Sequence, residues 1–218
     1  MSSLFRYRFA SRVLSADTTW GNIGYDGGTN GGGVGILGEW AVMQTNFVAS
    51  QVPCRLVVAN INTGQSFTAT PFKTSISSTS YSFSKAALDV ASGHIYAQDT
   101  GTGVVVAAHI ASTGIVSDWK IANVSNGFIF LQGPDNNRQV IMPNSTSTGD
   151  QLIWRDPVSG AVLAKTPVLT STPTQSPITP GFAGRVYYPA IQSGKLIEVV
   201  PTRSAPESSD WFLGLRPI

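Results

Sequence analysis

The residues of this chain best placed to do chemistry lie in one glycine-rich segment. It reads Asp17-Thr-Thr-Trp-Gly-Asn-Ile-Gly-Tyr-Asp-Gly-Gly-Thr-Asn-Gly-Gly-Gly-Val-Gly-Ile-Leu-Gly38, with eight glycines between Gly21 and Gly35 surrounding Trp20, Tyr25, Asp26 and Asn30. Glycines let a backbone approach a ligand closely and turn successive N–H groups into a concavity that accepts an anion. Asp26, flanked by Tyr25 and by Gly27-Gly28, has few side chains to compete with it. Partial burial there would raise its pKa and keep the carboxyl protonated, fit to act as a general acid. The pattern is not a nucleotide loop, because it has no Lys followed by Ser or Thr and does not pass from strand to helix. Read blandly, the same stretch is a tightly turned connection between strands.

The elements that must position this segment are strands. Period-two and short apolar runs dominate: Phe5 to Phe9, Trp40 to Gln44, Phe128 to Leu131, Arg138 to Met142, Val186 to Tyr188 and Lys195 to Val200. The best helical candidate, Ser84 to Ser92, is short and stops at Gly93. Three apolar runs end in a similar turn, Asn60 to Gly64, Asp99 to Gly103 and Asp156 to Gly160, each with Thr or Ser just before the Gly. The acid or amide caps the backbone that follows it, and the Gly supplies the positive φ that closes the hairpin. The copies stand 39 and 57 residues apart. That repetition predicts an all-β chain of propeller-type units, at residues 38–70, 81–111, 119–168 and, more faintly, 184–200. With roughly 40 to 50 residues to a blade, the chain holds about four or five blades, a small or partial propeller or half of a larger one. The expectation is one domain over 1–218, with a glycine-rich loop at 21–38 and a Pro/Ser/Thr-rich connection at 166–180. An open flank would be covered by a second copy of the chain or by missing N-terminal blades.

Composition narrows the partners. Of 218 residues, 42% are hydrophobic, enough for a core, while only 12% are charged. A weakly charged polar surface fits a protein working outside the cytoplasm, or at low pH. The net charge is +2 and the 14 Lys and Arg form no run, so no nucleic-acid face is expected. The single cysteine, Cys54, excludes an intrachain disulfide framework and a Cys-rich metal site, and reads as a buried thiol at a strand start. The N-terminus lacks the apolar core of a secretory signal, and no segment is long enough to span a membrane. Neither a metal nor a cofactor is expected.

The turns at Ala97-Gln-Asp99 to Gly103 and Trp154-Arg-Asp156 to Gly160 resemble the blade repeat of the pyrroloquinoline-quinone-type propeller superfamily. Within it, the segment from Thr19 to Gly33, Trp154-Arg155-Asp156 and Gly184-Arg-Val-Tyr-Tyr-Pro189 together resemble the C-terminal portion of tetrathionate hydrolases. The resemblance covers most of this chain and about the later half of such an enzyme. It implies a periplasmic or extracellular propeller enzyme of acidophilic sulfur oxidisers, hydrolysing tetrathionate to thiosulfate, sulfur and sulfate. Asp26 is the residue to which the implied acidic role falls. Tetrathionate is a small dianion, and breaking its sulfur–sulfur bond requires a proton on the leaving sulfur. Asp26 would supply it, while Tyr25, Asn30, the N–H groups of Gly31 and Gly32, and Arg155 or Arg185 hold the sulfonate oxygens. Each arginine also reads as a rim residue bonded to a neighbouring turn.

Other functions compete. A quinoprotein dehydrogenase would need a calcium site and often adjacent cysteines, which one Cys cannot give. A Ser-His-Asp hydrolase lacks a nucleophile elbow, and His94 and His109 read as structural. A non-catalytic propeller that binds or assembles, or an inactive fragment of a longer enzyme, is the alternative from a different class.

Overall fold

The computed structural model describes residues 2–18, 20, 23–25, 33–45, 54–72, 86–99, 103–122, 129–133, 138–146, 149–169, 178–190, 194–202 and 212–217. At the N-terminal side β1 (Ser2–Leu4) pairs with β4 (Ile23–Tyr25), and between them β2 (Tyr7–Ala10) and β3 (Val13–Ala16) form a separate hairpin. Four antiparallel meanders follow, each of four strands in sequence order. The first comprises β5 (Val34–Leu37), β6 (Trp40–Gln44), β7 (Leu56–Asn60) and β8 (Ser66–Ala69). The second holds β9 (Ala87–Asp89), β10 (His94–Asp99), β11 (Val104–Ala111) and β12 (Gly114–Ile121). The third is β13 (Phe130–Gln132), β14 (Gln139–Thr146), β15 (Gly149–Arg155) and β16 (Val162–Lys165). The fourth is β17 (Thr179–Pro180), β18 (Val186–Ala190), β19 (Lys195–Thr202) and β20 (Phe212–Pro217).

The meanders stack face to face, and the burial pattern says why. Strand β7 is buried at all five positions, and β10 at five of six. A strand buried on both faces must be covered by a sheet on each side, so its apolar run need not alternate. The two sets of side chains separate cleanly. Val42, Leu56 and Val58 meet Ile95, Ala97, Val106 and Ala108 of the next meander, with Cys54 in the same core. Tyr96, Val105 and Ala107 point the other way, onto Val140 and Met142. Ile141, Leu152 and Trp154 then meet Val186, Tyr188 and Val199. On the near side, Met43, Val57 and Ala59 receive Leu4 and Trp20. These are the blades of a β-propeller, each touching its neighbours in chain order.

Pairing divides the strand ends into two sets. At one end lie the short turns joining the first strand of a blade to the second and the third to the fourth. Trp40 pairs with both Leu37 and Asn60 there, and Ile61 N donates to Glu39 O at 2.8 Å across the two turns. At the other end the second strand turns into the third, and one blade hands over to the next. There the chain leaves β6 after Gln44, leaves β8 after Ala69 and β16 after Lys165, and enters β5 at Val34.

Three expectations change. The one weak helical candidate, Ser84 to Ser92, is not helix where described: Ala87–Asp89 is strand, paired through Leu88 with Ile95 and through Asp89 with His94. Tertiary pairing overrides a weak helical preference. The turn after Asp99 is not a copy of the other two, since it joins β10 to β11 at the handover end. The same bonding recurs instead in Asp89-Val-Ala-Ser-Gly93, which joins the first strand of the second blade to its second. In all three turns the carbonyl at the first position accepts the Gly N–H: Gly64 to Asn60 at 2.9 Å, Gly93 to Asp89 at 2.8 Å and Gly160 to Asp156 at 2.9 Å. The side-chain oxygen of Asn60, Asp89 and Asp156 accepts from the residue two places on. Finally, Gly114–Ile121 closes the second blade rather than opening the third.

Candidate functional site

Among the described residues seven polar or charged side chains are buried, and five of them stand at strand ends on the handover side of their own blades. They are Gln44 and Thr45 after the second strand of the first blade, Gln98 and Asp99 at the matching place in the second, and Thr166 after β16. The other two, Asn60 and Asp89, cap turns at the opposite end. Gln44 reaches across the first blade interface, its Nε2 donating to Gln98 O at 2.6 Å, while its Oε1 is buried without a hydrogen-bond partner. Thr45 Oγ1 accepts from Arg55 N at 3.0 Å, and Thr166 Oγ1 from Leu152 N at 3.0 Å. Asp99 has no relative exposure, so a carboxylate stands inside the polar layer. Buried polar groups of this kind need hydrogen-bond partners, and the hydroxyls of Thr45 and Thr166 find theirs in the backbone of their own blades. The signal was present in sequence as Gln44-Thr45 and Gln98-Asp99, polar pairs ending apolar strands, but Asp99 was absorbed into the turn reading.

The residues expected from sequence are placed unevenly. Asp26, Asn30, Gly31 and Gly32 lie outside the described residues. Tyr25 ends β4, with its backbone paired to Ser2. The described flank of the glycine-rich segment, Gly33 into Val34, meets the polar layer's end of the blades, because Val34 pairs with Met43 beside Gln44. A Cβ on Gly35 would crowd the far end of the Leu88 side chain of the next blade, which would have to shift. Trp20 is an anchor, its Nε1 donating to Asn60 O at 3.0 Å while the Arg6 guanidinium lies over its ring at 5.6 Å.

Arg155 and Arg185 lie at the short-turn end. Arg155 pairs with Val140 at the start of β14, and its Nη1 donates to Gly160 O at 2.8 Å, bracing its own turn. Burial lowers its pKa. Arg185 precedes β18 and faces Glu198, Nη1 to Oε1 at 3.4 Å, with Tyr187 OH donating to the same oxygen at 2.7 Å. The described parts therefore set both arginines at strand ends away from Gly33.

The histidines belong to a third place. His94 and His109 pair across β10 and β11. Asp118 lies 2.7 Å from His109 Nδ1 and 3.6 Å from His94 Nε2, while His94 Nδ1 is 2.9 Å from Ser92 Oγ. Among the described residues no group of three His, Cys, Asp or Glu is arranged to hold a metal ion.

One solved structure shares the fold over most of this chain. The chain is similar to a protein of Bacteroides fragilis NCTC 9343 described as a 6-phosphogluconolactonase, with a TM-score of 0.54 and 13% identity over 92% of this chain and 61% of that one. It is also similar to a protein of unknown function from Bacteroides caccae, with a TM-score of 0.41 and 14% identity over 75% of this chain and 68% of that one. A chain of a nidogen–laminin complex matches with a TM-score of 0.36 and 12% identity, over 91% of this chain and 86% of that one. At such identities the likeness bears on fold alone. This chain spans 61% of the length of the Bacteroides fragilis protein. No family model matches the sequence, and neither does any curated protein.

Proposed function

We propose that the chain is the propeller part of a hydrolase for a small sulfur oxyanion, working at the handover end of its blades. The observation that carries the proposal is the gathering of buried polar side chains, Gln44, Gln98 and Asp99, at the end where Gly33 leads into β5. Tetrathionate is the substrate that the resemblance of the glycine-rich segment implies, and Asp26 is the proton donor to the leaving sulfur. Backbone N–H groups around Gly31 and Gly32 would receive one sulfonate, with Tyr25 and Asn30 beside them. Arg155 and Arg185 are assigned to turns, on the strength of their bonds to Gly160 and Glu198. A periplasmic or extracellular site of action accords with the weakly charged composition.

A binding or assembly platform is the second reading, since stacked blades can present surfaces without holding a catalytic centre. Thiosulfate release from tetrathionate separates the two. Release at acidic pH that disappears in Asp26→Asn, with the fold retained, supports the hydrolase. A folded wild-type chain that releases none overturns it.

A further inference from the structure

We infer that the β2–β3 hairpin is a contact for the surface of an anionic lipid bilayer. Both strands are exposed at every position. Cross-strand partners share a face, so Phe9 and Leu14 form one apolar rung, and Ala10 and Val13 the next rung on the opposite face. Phe9 is 73% exposed, Leu14 65% and Val13 62%, with Phe5 and Tyr7 exposed towards the base. Soluble surfaces scatter single apolar residues, but seldom concentrate them on a projecting ribbon. A groove on a protein partner would cover one face of such a ribbon. Apolar groups on both faces of the rungs nearest the tip suit an apolar medium that surrounds them.

Charge selects the kind of surface. Arg8 and Arg12 are exposed, whereas Asp17, the carboxylate that Arg6 and Arg8 share, has its side chain only 3% exposed, and residues 7–16 contain no Asp or Glu. The ribbon therefore presents positive charge alone, as anionic headgroups require, beside aromatic rings of the sort that settle at a membrane interface. The base is fixed: Arg6 pairs with Asp17 at 2.6 Å and donates to Ile61 O of the first blade's turn. The tip is strained, with Ser11 at φ 50° and Arg12 at φ 65° where a two-residue hairpin favours Asn-Gly. Keeping Arg12 at the cost of that strain fits a residue retained for contact.

Flotation with vesicles tests this. The wild-type chain is expected to float with vesicles of phosphatidylcholine and phosphatidylglycerol, to be released by salt, and to bind phosphatidylcholine alone far more weakly. Phe9→Ser with Leu14→Ser should abolish flotation, and Arg12→Gln should weaken it about five-fold, both with unchanged circular dichroism. Failure of the wild type to float with anionic vesicles overturns the inference. So does equal binding to neutral vesicles, or a double variant that binds as well as wild type. A hairpin-dependent dimer without vesicle binding also overturns it, and assigns the ribbon to a second copy.

Discussion

At the scale of single residues, the turn caps show chemistry that the sequence leaves ambiguous. Asn60 and Asp156 occupy the same place and accept the same two backbone bonds, so an amide can take the carboxylate's place in the turn, although Asp156 also accepts from the Ser159 hydroxyl. They differ in response to acid. The Ser159 backbone N–H, then its hydroxyl, hold Asp156 below the usual carboxylate range. A folded-state pKa below the unfolded value means stability present above roughly pH 4 and lost as pH falls through the depressed value. Asp156→Asn should therefore lie slightly below wild type in urea midpoint near neutral pH and fall less on acidification, so that the two converge. Asp156→Ala, which loses the acceptor for Val158 and Ser159, should cost about 1 kcal/mol at neutral pH. Equal acid sensitivity of wild type and Asp156→Asn would place the titrating group elsewhere. Tyr96 behaves oppositely, since burial first and then Asp89 push its phenol up and keep it a neutral donor to Pro157 O.

At the scale of elements, the glycine of a turn does more than close it. A Cβ on Gly64 would stand 3.1 Å from Trp20 Cδ1, and one on Gly160 2.9 Å from Trp119 Cδ2. In both cases the indole comes from the preceding unit and its N–H reaches the turn, Trp20 to Asn60 O and Trp119 to Pro157 O, each at 3.0 Å. The Gly is thus a seat for a tryptophan that locks successive units together. Gly38 has positive φ as well, but nothing lies within 4 Å of its Cβ direction. Gly38→Ala should then cost only the backbone penalty, about 1 kcal/mol. Gly160→Ala should cost roughly 1–3 kcal/mol more, because the indole must shift. Equal losses in urea unfolding would deny the seat. Turns and strands were legible in the sequence because Asp/Asn and Gly act locally. The indole seats were not, since Trp20 and Trp119 stand 44 and 41 residues from their glycines and only blade stacking joins them. Asp89 was hidden for a related reason: Lys85 to Val90 has local helical preference, and only pairing with β10 makes Ala87–Asp89 a strand. The candidate site was half legible, with the glycines visible as a motif and the polar layer visible only once strand ends were aligned.

At the scale of the whole molecule, each blade is stabilised through the neighbours it packs against, as in other stacked repeats. The cores between blades are separate clusters, with Val58 in the first, Tyr96 in the second and Ile141 in the third. Stability is then a sum of nearest-neighbour interfaces, and damage to one should not spread evenly. Ile141 is fully buried between the third and fourth blades, and Ile141→Ala should cost about 2–5 kcal/mol through lost burial and the cavity left behind. The fourth blade depends most on that interface among the described contacts, because Val186, Tyr188 and Val199 all lie in the core it shares with Ile141. Amide hydrogen exchange should therefore accelerate in β18 and β19 and, to a lesser degree, in β14 and β15. Strand β7, enclosed between Leu4 and Trp20 on one face and the second blade on the other, should keep its wild-type protection. If β7 accelerated as much as β18, the blades would unfold as one cooperative body, and a ligand at the handover end would stabilise all of them at once. If protection is lost only at the fourth blade, the first two blades hold Gln44 and Gln98 in place on their own.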